Sequence, residues 1–376
     1  MDFDLTTEQE MLRDTVRDVL ARGYTPERRT EVIGTELGWD PQLWRTFAEI
    51  GLLGLTFAEE DGGMGAGPLE AMLVFTEIGR RLAPEPLLDC ALLPGGLIAH
   101  VGADAQRKEL LPKIADGAVR AAFAHNEPGV RWPSHEIATR VVADGENWVL
   151  TGRKSTVPHG DCAELLIVSA ALPEGGGTAL FLVDPAGTGV RRAPYRTHDG
   201  QRGADIEFDG VRAESLGAAA DVTDVIDSAL AHAQAALCAE AIGAMEESLR
   251  LTAEYLKTRK QFGVPLRSFQ TLTQRAADMY VSLELARGMS MYASMSLADG
   301  VADPVVASRA KLRVGRSARH IGQESIQLHG GIGMTAEYPV GHYTARLTAI
   351  EHSLGDSSDH LRRLGGLVGD HQMVEI

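Results

Sequence analysis

The sequence predicts an α+β protein with a helical N-terminal domain, a middle β domain and a C-terminal four-helix bundle. The chain has 376 residues, too many for one small core. Apolar residues recur at helical spacing up to about residue 118 and again from about residue 223. Between these limits the sequence breaks into short β-type runs separated by turns. We therefore expect domains over residues 1–118, 119–222 and 223–376.

The N-terminal domain is predicted from cap residues and apolar spacing. Thr6 or Thr7 can cap a first helix, and residues 44–53 form a second amphipathic run. The glycines of residues 59–67 predict a loop, after which Pro68 opens a helix over residues 69–82. We interpret this domain as scaffold.

The other two domains differ in their periodicity. The clearest predicted strands are residues 148–151, 164–169, 178–183 and 204–208. Long helical runs follow over residues 225–256, 269–297 and 301–328, with a final helix near residues 359–368.

Charge and targeting signals exclude several classes of protein. Lys and Arg number 36 against 52 Asp and Glu, a net charge of −16, and no basic block is present. This balance argues against binding to nucleic acid. The N-terminus lacks a signal peptide, and no run approaches the ~20 apolar residues of a membrane span. We expect a cytoplasmic protein with no membrane contact.

Cysteine and histidine spacing predicts neither a disulfide framework nor a metal site. Cys90, Cys162 and Cys238 each lie in an apolar neighbourhood without paired spacing, which is typical of buried structural thiols. His329 and His342 have no second ligand at helical spacing, so we interpret them as packing residues or phosphate contacts.

Residues 254–270 carry an unusual set of side chains. Arg259 offers a fixed fork of donors that suits a pair of phosphate oxygens. Phe262 and Phe269 offer flat apolar faces, and Gly263 lies between them in a break in the helix. Gln270 adds an amide that can hydrogen-bond to a heteroaromatic edge. This combination suits a dinucleotide at a helix end, with two core helices joined by a tight turn as the alternative.

A second stretch, Gln-Leu-His-Gly-Gly-Ile-Gly-Met over residues 327–334, favours the dinucleotide. Its glycines let the backbone approach a bulky group closely. Together the two stretches resemble the signatures of the acyl-CoA dehydrogenase family, Arg-x-x-Phe-Gly with Phe-Gln, then Gln-x-x-Gly-Gly-x-Gly. The resemblance covers nearly the whole chain, and it includes an actinobacterial, possibly heteromeric branch with an Ala-Glu-x-x-Gly helix pattern.

The resemblance implies FAD as cofactor, an acyl-CoA thioester as substrate and electron-transfer flavoprotein as electron acceptor. A carboxylate base removes the α-proton while the flavin takes the β-hydride. The implied assembly is a homotetramer, or an α2β2 heterotetramer with a homologue. The cofactor contacts implied by the resemblance are Arg259, Gln261, Phe262, Leu266, Phe269, Gln270, Gln327, Gly330, Gly331, Asn126 and Thr156.

Both positions at which the family usually carries the base are inert here. The resemblance places them at Leu354 and Ala233. Glu240 lies two helical turns beyond Ala233, as the one acid in an otherwise apolar run. A carboxylate there is costly to bury without a purpose or a partner. We expect Glu240 to be the base, with a helix–helix salt bridge as the alternative, and Glu246 and Glu247 to be solvated.

The flavin-ring side matches the family only in part. Glu127 and Pro128 match its Thr-Glu-Pro, but Thr156 and Pro158 replace the usual tryptophan and threonine. We expect Thr156 to donate a hydroxyl hydrogen bond to the flavin.

Three functional hypotheses follow. The first is dehydrogenation of a bulky or branched acyl-CoA, in fatty acid or sterol side-chain breakdown, with Glu240 as base. The second is a non-catalytic, flavin-contacting partner subunit, and the third is an oxidase on the same scaffold. We also expect Arg259 and residues 327–333 to meet one flavin from different subunits.

Overall fold

The computed structural model describes residues 4–130, 132, 136–145 and 147–370. The chain forms two compact units. The first unit comprises Met1–Arg28, Pro68–Ala83 and Gln234–Ile376, and the second comprises Arg29–Gly67 and Pro84–Ala233. The N-terminal third of the sequence therefore contributes segments to both units.

The N-terminal region is helical, as the apolar spacing predicts. Its helices are α1 (Thr7–Gly23), α2 (Pro26–Ile33), α3 (Pro41–Glu49), α4 (Pro68–Arg81), α5 (Leu93–Val101) and α6 (Asp104–Ala115). Thr6 caps α1 by accepting a hydrogen bond from the Gln9 amide, which satisfies one of the free N–H groups of the first turn. A single π-helical turn, Leu88–Leu92, precedes α5.

The second unit is built on a seven-stranded sheet. Its strands are β1 (Ala121–Ala124), β2 (Arg140–Asp144), β3 (Asn147–Pro158), β4 (Leu165–Ala171), β5 (Thr178–Val183), β6 (Val190–Arg196) and β7 (Arg202–Ser215). The pairings β4–β2–β3–β7–β5–β4 form a closed ring around an apolar core, while β1 pairs with β4 and β6 with β7. The alternating patterns along the sequence reflect strands with one face in this core.

The C-terminal helices are α7 (Thr223–Thr258), α8 (Gln270–Ala298), α9 (Pro304–His329), α10 (Pro339–His352) and α11 (Ser357–Gly366). Helix α9 packs against α8, α10 and α11. Between α7 and α8 lies a two-stranded hairpin of β8 (Lys260–Gln261) and β9 (Val264–Pro265).

Two glycines bring α4 and α7 into backbone contact within the first unit. A Cβ added at Gly79 would lie 1.9 Å from the Glu240 carbonyl oxygen, and one at Gly243 would lie 1.9 Å from the Thr76 carbonyl oxygen. Any side chain larger than hydrogen would force the helices apart. The glycine of the Ala-Glu-x-x-Gly segment is therefore required for helix packing.

Within the described ranges, no helix combines the length and the apolar character needed to cross a membrane.

Candidate active site

The hairpin after α7 presents a strained, exposed aromatic side chain. Phe262 and Gly263, with φ of 53° and 82°, form its two-residue turn. Left-handed backbone costs a phenylalanine more than a glycine, and such strain clusters at binding sites. Phe262 is 92% exposed, and its ring meets that of Phe269 edge-on at 6.2 Å. The Leu266 amide donates to the Arg259 carbonyl at 2.8 Å, which closes the base of the hairpin.

A cavity of about 310 Å³ in the first unit brings several predicted cofactor contacts together. Arg259 and Gln261 reach it from the hairpin, and Gln327 reaches it from the end of α9. Its lining residues are Tyr255, Arg259, Gln261, Leu266, Leu272, Arg275, Gln327, Leu328, His329 and Gly330. Arg259 and residues 327–330 thus line one cavity of one chain, and the expectation that they meet one flavin from different subunits stays a prediction.

Two further residues of this unit that are predicted to contact the cofactor, Gln270 and Gly331, are close in sequence to residues that line the cavity. Gln270 is the first residue of α8, where Phe269 is the N-cap, and Gly331 lies in the short turn after α9. Gln270 and Gly331 are exposed.

An aromatic cluster that the sequence analysis missed supports the cavity. The ring of His329 stacks on Tyr255 at 4.5 Å and also lies 4.9 Å from Tyr338. Its Nδ1 donates to the Ser325 carbonyl at 2.7 Å, and burial lowers the pKa of His329. Its Nε2 lies buried with no hydrogen-bond partner among the described residues, so both roles that its position left open, packing and a phosphate contact, stay predictions.

Glu240 lies in a buried ion pair. Arg346, on α10, donates from Nε to Oε1 at 2.6 Å and from Nη2 to Oε2 at 2.8 Å. Only 3% of Glu240 and 9% of Arg346 are exposed. Both carboxylate oxygens accept charge-assisted hydrogen bonds from one guanidinium. The structure thus supports the salt-bridge alternative, and the role of Glu240 as the base stays a prediction.

Leu354 lies in a loop between α10 and α11 with an unusual backbone. Its φ is 53°, a left-handed conformation that disfavours a branched side chain. The side-chain amide of Gln234 and the Nε2 of His360 donate to its carbonyl oxygen at 3.0 and 3.1 Å. These contacts fix the loop in which the resemblance places one of the two expected base positions.

The acids that flank Leu354 are already engaged. Glu351 is 2% exposed and accepts hydrogen bonds from Arg319 at 2.8 Å and from the Ser357 amide at 3.1 Å. Asp356 caps α11 by accepting from the Ser358 and Asp359 amides. Both hydrogen bonds of Glu351 fall on Oε1, whereas its Oε2 is buried with no hydrogen-bond partner among the described residues.

Glu246 is not the solvated residue that its place in the sequence suggests. Its side chain is 10% exposed and forms ion pairs with Arg80 and Arg287. Glu247, one residue on, is half-buried and pairs with Arg250. The expectation of free surface carboxylates is therefore wrong for both residues.

The two ring-side candidates, Asn126 and Thr156, lie in the second unit. The Ser155 amide donates to the Asn126 carbonyl at 2.9 Å, which brings their two segments together. Thr156 is exposed with φ of 52°, and its amide donates to Asp205 Oδ1 at 3.0 Å. Asp205 also lines a cavity of about 550 Å³ in this unit.

A buried ion pair beneath this segment was not anticipated. Lys154 Nζ donates to Glu127 Oε1 at 2.8 Å, to the His125 carbonyl at 2.9 Å and to Ser169 Oγ at 3.1 Å. Burial lowers the pKa of Lys154 to about 8. Burial alone would raise the pKa of Glu127, but the charge of Lys154 and the hydrogen bonds it accepts lower it. The pair fixes the backbone that presents Asn126 and Thr156.

Comparison with protein-family models identifies the fold. The N-terminal, middle and C-terminal domains of acyl-CoA dehydrogenase match residues 6–118, 122–211 and 223–365. Acyl-CoA dehydrogenase IpdE2 of Mycolicibacterium smegmatis is 31% identical over 364 residues, which cover 96% of this chain and 98% of that protein. The chain belongs to the acyl-CoA dehydrogenase family.

Two solved structures are similar over nearly the full length. A variant of the Tcur3481-Tcur3483 steroid acyl-CoA dehydrogenase shares 34% identity with a TM-score of 0.89, over 96% of this chain and 98% of that one. The ChsE4-ChsE5 complex from Mycobacterium tuberculosis shares 27% identity with a TM-score of 0.90, over 99% and 100% of the two chains. Both are named as pairs of proteins.

Proposed function

We propose that this chain is the flavin-holding subunit of a heteromeric acyl-CoA dehydrogenase in which a homologous subunit supplies the catalytic base. The ion pair between Glu240 and Arg346 carries this proposal, because it removes the remaining candidate base after Leu354 and Ala233. The fold retains the loop around Leu354 without its acid. A subunit that keeps the binding features and lacks the base depends on another chain for proton abstraction.

FAD is the cofactor of this dehydrogenase class, and the residues present fit its phosphates. Arg259 makes no ion pair within the described part of the chain and faces a cavity that also holds the amides of Gln261 and Gln327. A guanidinium with no partner charge, beside two amides, suits an anionic and hydrogen-bonding ligand. When bound, FAD accepts the hydride that leaves the β-carbon of the thioester.

The remaining residues hold and shape this site. Phe262 offers a stacking face from the hairpin, and Thr156 offers a hydroxyl from β3. The acids beside Leu354 make structural contacts, Glu351 with Arg319 and Asp356 with the first turn of α11, which supports a partner subunit as the source of the base.

A bulky, steroid-like acyl chain is the substrate class we propose. The similarity to a steroid acyl-CoA dehydrogenase and the paired composition of both similar structures support this class and a mixed α2β2 assembly. Electron-transfer flavoprotein is the acceptor we propose for the flavin electrons.

Native mass spectrometry of the tagged chain, purified from the cells that naturally make it, tests the subunit hypothesis by measuring which subunits are present and in what ratio. We expect equal numbers of this chain and of a homologous subunit with a glutamate at the position of Leu354 or Ala233. The second measurement adds a steroid-side-chain acyl-CoA to the chain expressed alone with FAD. Bleaching of the flavin in a homotetramer of this chain would contradict the proposal.

A gain-of-function variant tests the same loop directly. Leu354→Glu restores a carboxylate at the usual base position, and Leu354→Gln is the matched control without basicity. We expect flavin reduction by acyl-CoA to rise roughly 10²–10⁴-fold in the glutamate variant of the purified assembly when the partner's own base is removed. Equal rates for the two variants would show that this loop does not face the substrate.

A further inference from the structure

Four side chains of the kinds that bind transition metals converge in the second unit. His159, Asp161 and Cys162 lie in the turn after β3, and their ligand atoms are all within 4.8 Å of one another. The buried Cys90, from the π-helical turn of Leu88–Leu92, lies near enough to Cys162 that each thiol shifts the pKa of the other, upward for Cys90 and downward for Cys162. No disulfide links them. None of these four residues lines the cavity of about 550 Å³ in the same unit.

His159 is the residue that most needs a partner. It is 1% exposed, and neither ring nitrogen has a hydrogen-bond partner among the described residues. Buried polar atoms without partners are rare, and a missing ion is one of the few explanations. The φ of His159 is 50°, a strained conformation for a side chain of this size. The fold therefore keeps a strained backbone that holds an unsatisfied imidazole beside two thiols.

Asp161, like His159, has a buried polar atom with no hydrogen-bond partner among the described residues. Its Oδ2 accepts a hydrogen bond from Arg202 Nε at 2.9 Å, whereas its Oδ1 is buried with no partner among the described residues. The carboxylate of Asp89 lies 3.9 Å from His159 Nε2. Metal-binding carboxylates and histidines are usually oriented by such outer partners. Arg202 and Asp89 are placed to serve Asp161 and His159 in this role.

We propose that this chain binds a structural Zn²⁺ ion through Cys90, His159, Asp161 and Cys162. Two thiolates, an imidazole and a carboxylate suit zinc in softness and in number. With bonds of about 2.0–2.3 Å, the ligand atoms of a tetrahedral site lie roughly 3.3–3.8 Å apart. The ligand atoms of His159, Asp161 and Cys162 lie within 4.8 Å of one another and draw closer when an ion is bound.

The ion would link two parts of the second unit. Cys90 belongs to the helical segment before α5, and the other three ligands follow the strand that carries Thr156. Zinc would thereby fix the end of β3 to this helical segment. The spacing of the cysteines along the sequence does not predict this site, because Cys90 and Cys162 are 72 residues apart (162 − 90) and meet only in the fold.

The test measures zinc in protein purified without a polyhistidine tag, by inductively coupled plasma mass spectrometry after dialysis. We expect about one zinc per chain in the natural sequence and in Cys238→Ala, whose thiol is buried outside the cluster. Cys162→Ser and His159→Asn should lose most of the metal while keeping their circular dichroism. Cobalt substitution should give thiolate-to-cobalt charge-transfer bands in the natural sequence and in Cys238→Ala only.

Two results would overturn the zinc site. One is zinc that is retained equally by Cys162→Ser and His159→Asn, which would identify an adventitious ion only. The other is a Cys90–Cys162 disulfide in peptide maps of freshly purified protein, with no zinc. Cys90→Ala removes a fully buried side chain, and if it fails to fold, the two turn variants, Cys162→Ser and His159→Asn, still decide the question.

Discussion

At the scale of single residues, the pair of Glu240 and Arg346 decides how the chain is interpreted. A lone acid in an apolar helix needs either a chemical role or a partner, and the sequence does not distinguish the two. The partner comes from α10, 106 residues away along the chain. Two charge-assisted hydrogen bonds make this a structural contact that connects α7 to α10.

This pair makes a prediction opposite to that for a catalytic base. Glu240→Gln removes the negative charge that faces the buried Arg346, so we expect a loss of about 3–5 kcal/mol in the free energy of unfolding. Urea denaturation of the isolated chain measures this loss. The double variant Glu240→Met with Arg346→Met should recover much of the lost stability, because it leaves no unpaired buried charge. A single variant as stable as the natural sequence would exclude this role.

At the scale of elements, the hairpin of β8 and β9 turns a helix end into a binding surface. Its tight turn holds Phe262 in solvent and places Arg259 at the mouth of the cavity. The strained φ of Phe262 is retained in an element that buries little of its own surface. This combination suits an element selected for binding rather than for stability.

The hairpin prediction concerns FAD affinity. Arg259→Ala removes a forked, charge-assisted contact worth about 1.5–3 kcal/mol, so we expect the Kd for FAD to rise roughly 10- to 150-fold. Titration of the flavin-free assembly with FAD, followed by fluorescence, measures this change. Arg267→Ala is the matched control, because Arg267 is exposed on the same segment and does not line the cavity. Equal affinities for the two variants would exclude a phosphate contact at Arg259.

At the scale of the whole molecule, buried titratable groups make the free energy of unfolding depend on pH. His360 is fully buried, and burial, with the charge of Lys311 next, lowers its pKa to about 4. The unfolded chain takes up this proton near pH 6.5, whereas the folded chain resists it down to about pH 4. Stability is therefore lost as pH falls through that window.

We expect His360 to contribute up to about 3 kcal/mol to this acid destabilisation. His360→Gln can keep the hydrogen bond to the Leu354 carbonyl while removing the titration, so its unfolding free energy should change less between pH 6.5 and 4. Urea denaturation across this range measures the slope. His198→Gln changes an exposed histidine and should leave the slope unaltered. Identical slopes in all three proteins would contradict the burial argument.

Much of the fold could be predicted because local sequence encodes it. Helical spacing predicts the terminal helices, alternation predicts the middle strands, and the glycine and arginine motifs predict the residues that line the cavity. Thr6 caps its helix, and Arg259, Gln261, Leu266, Gln327 and Gly330 meet around one cavity. The boundaries at residues 118 and 222 remain predictions.

The sequence by itself determined the family, the order of helical and β regions and the loss of the acid at Leu354 and Ala233. Tertiary structure decided which charged and polar groups meet: Glu240 with Arg346, Lys154 with Glu127, and Cys90 with the turn at His159. The physical reason is the separation along the chain between the residues that interact. Periodicity and capping act between residues a few positions apart, whereas the energy of a buried charge or an unsatisfied imidazole depends on partners that only the folded chain brings within hydrogen-bonding reach.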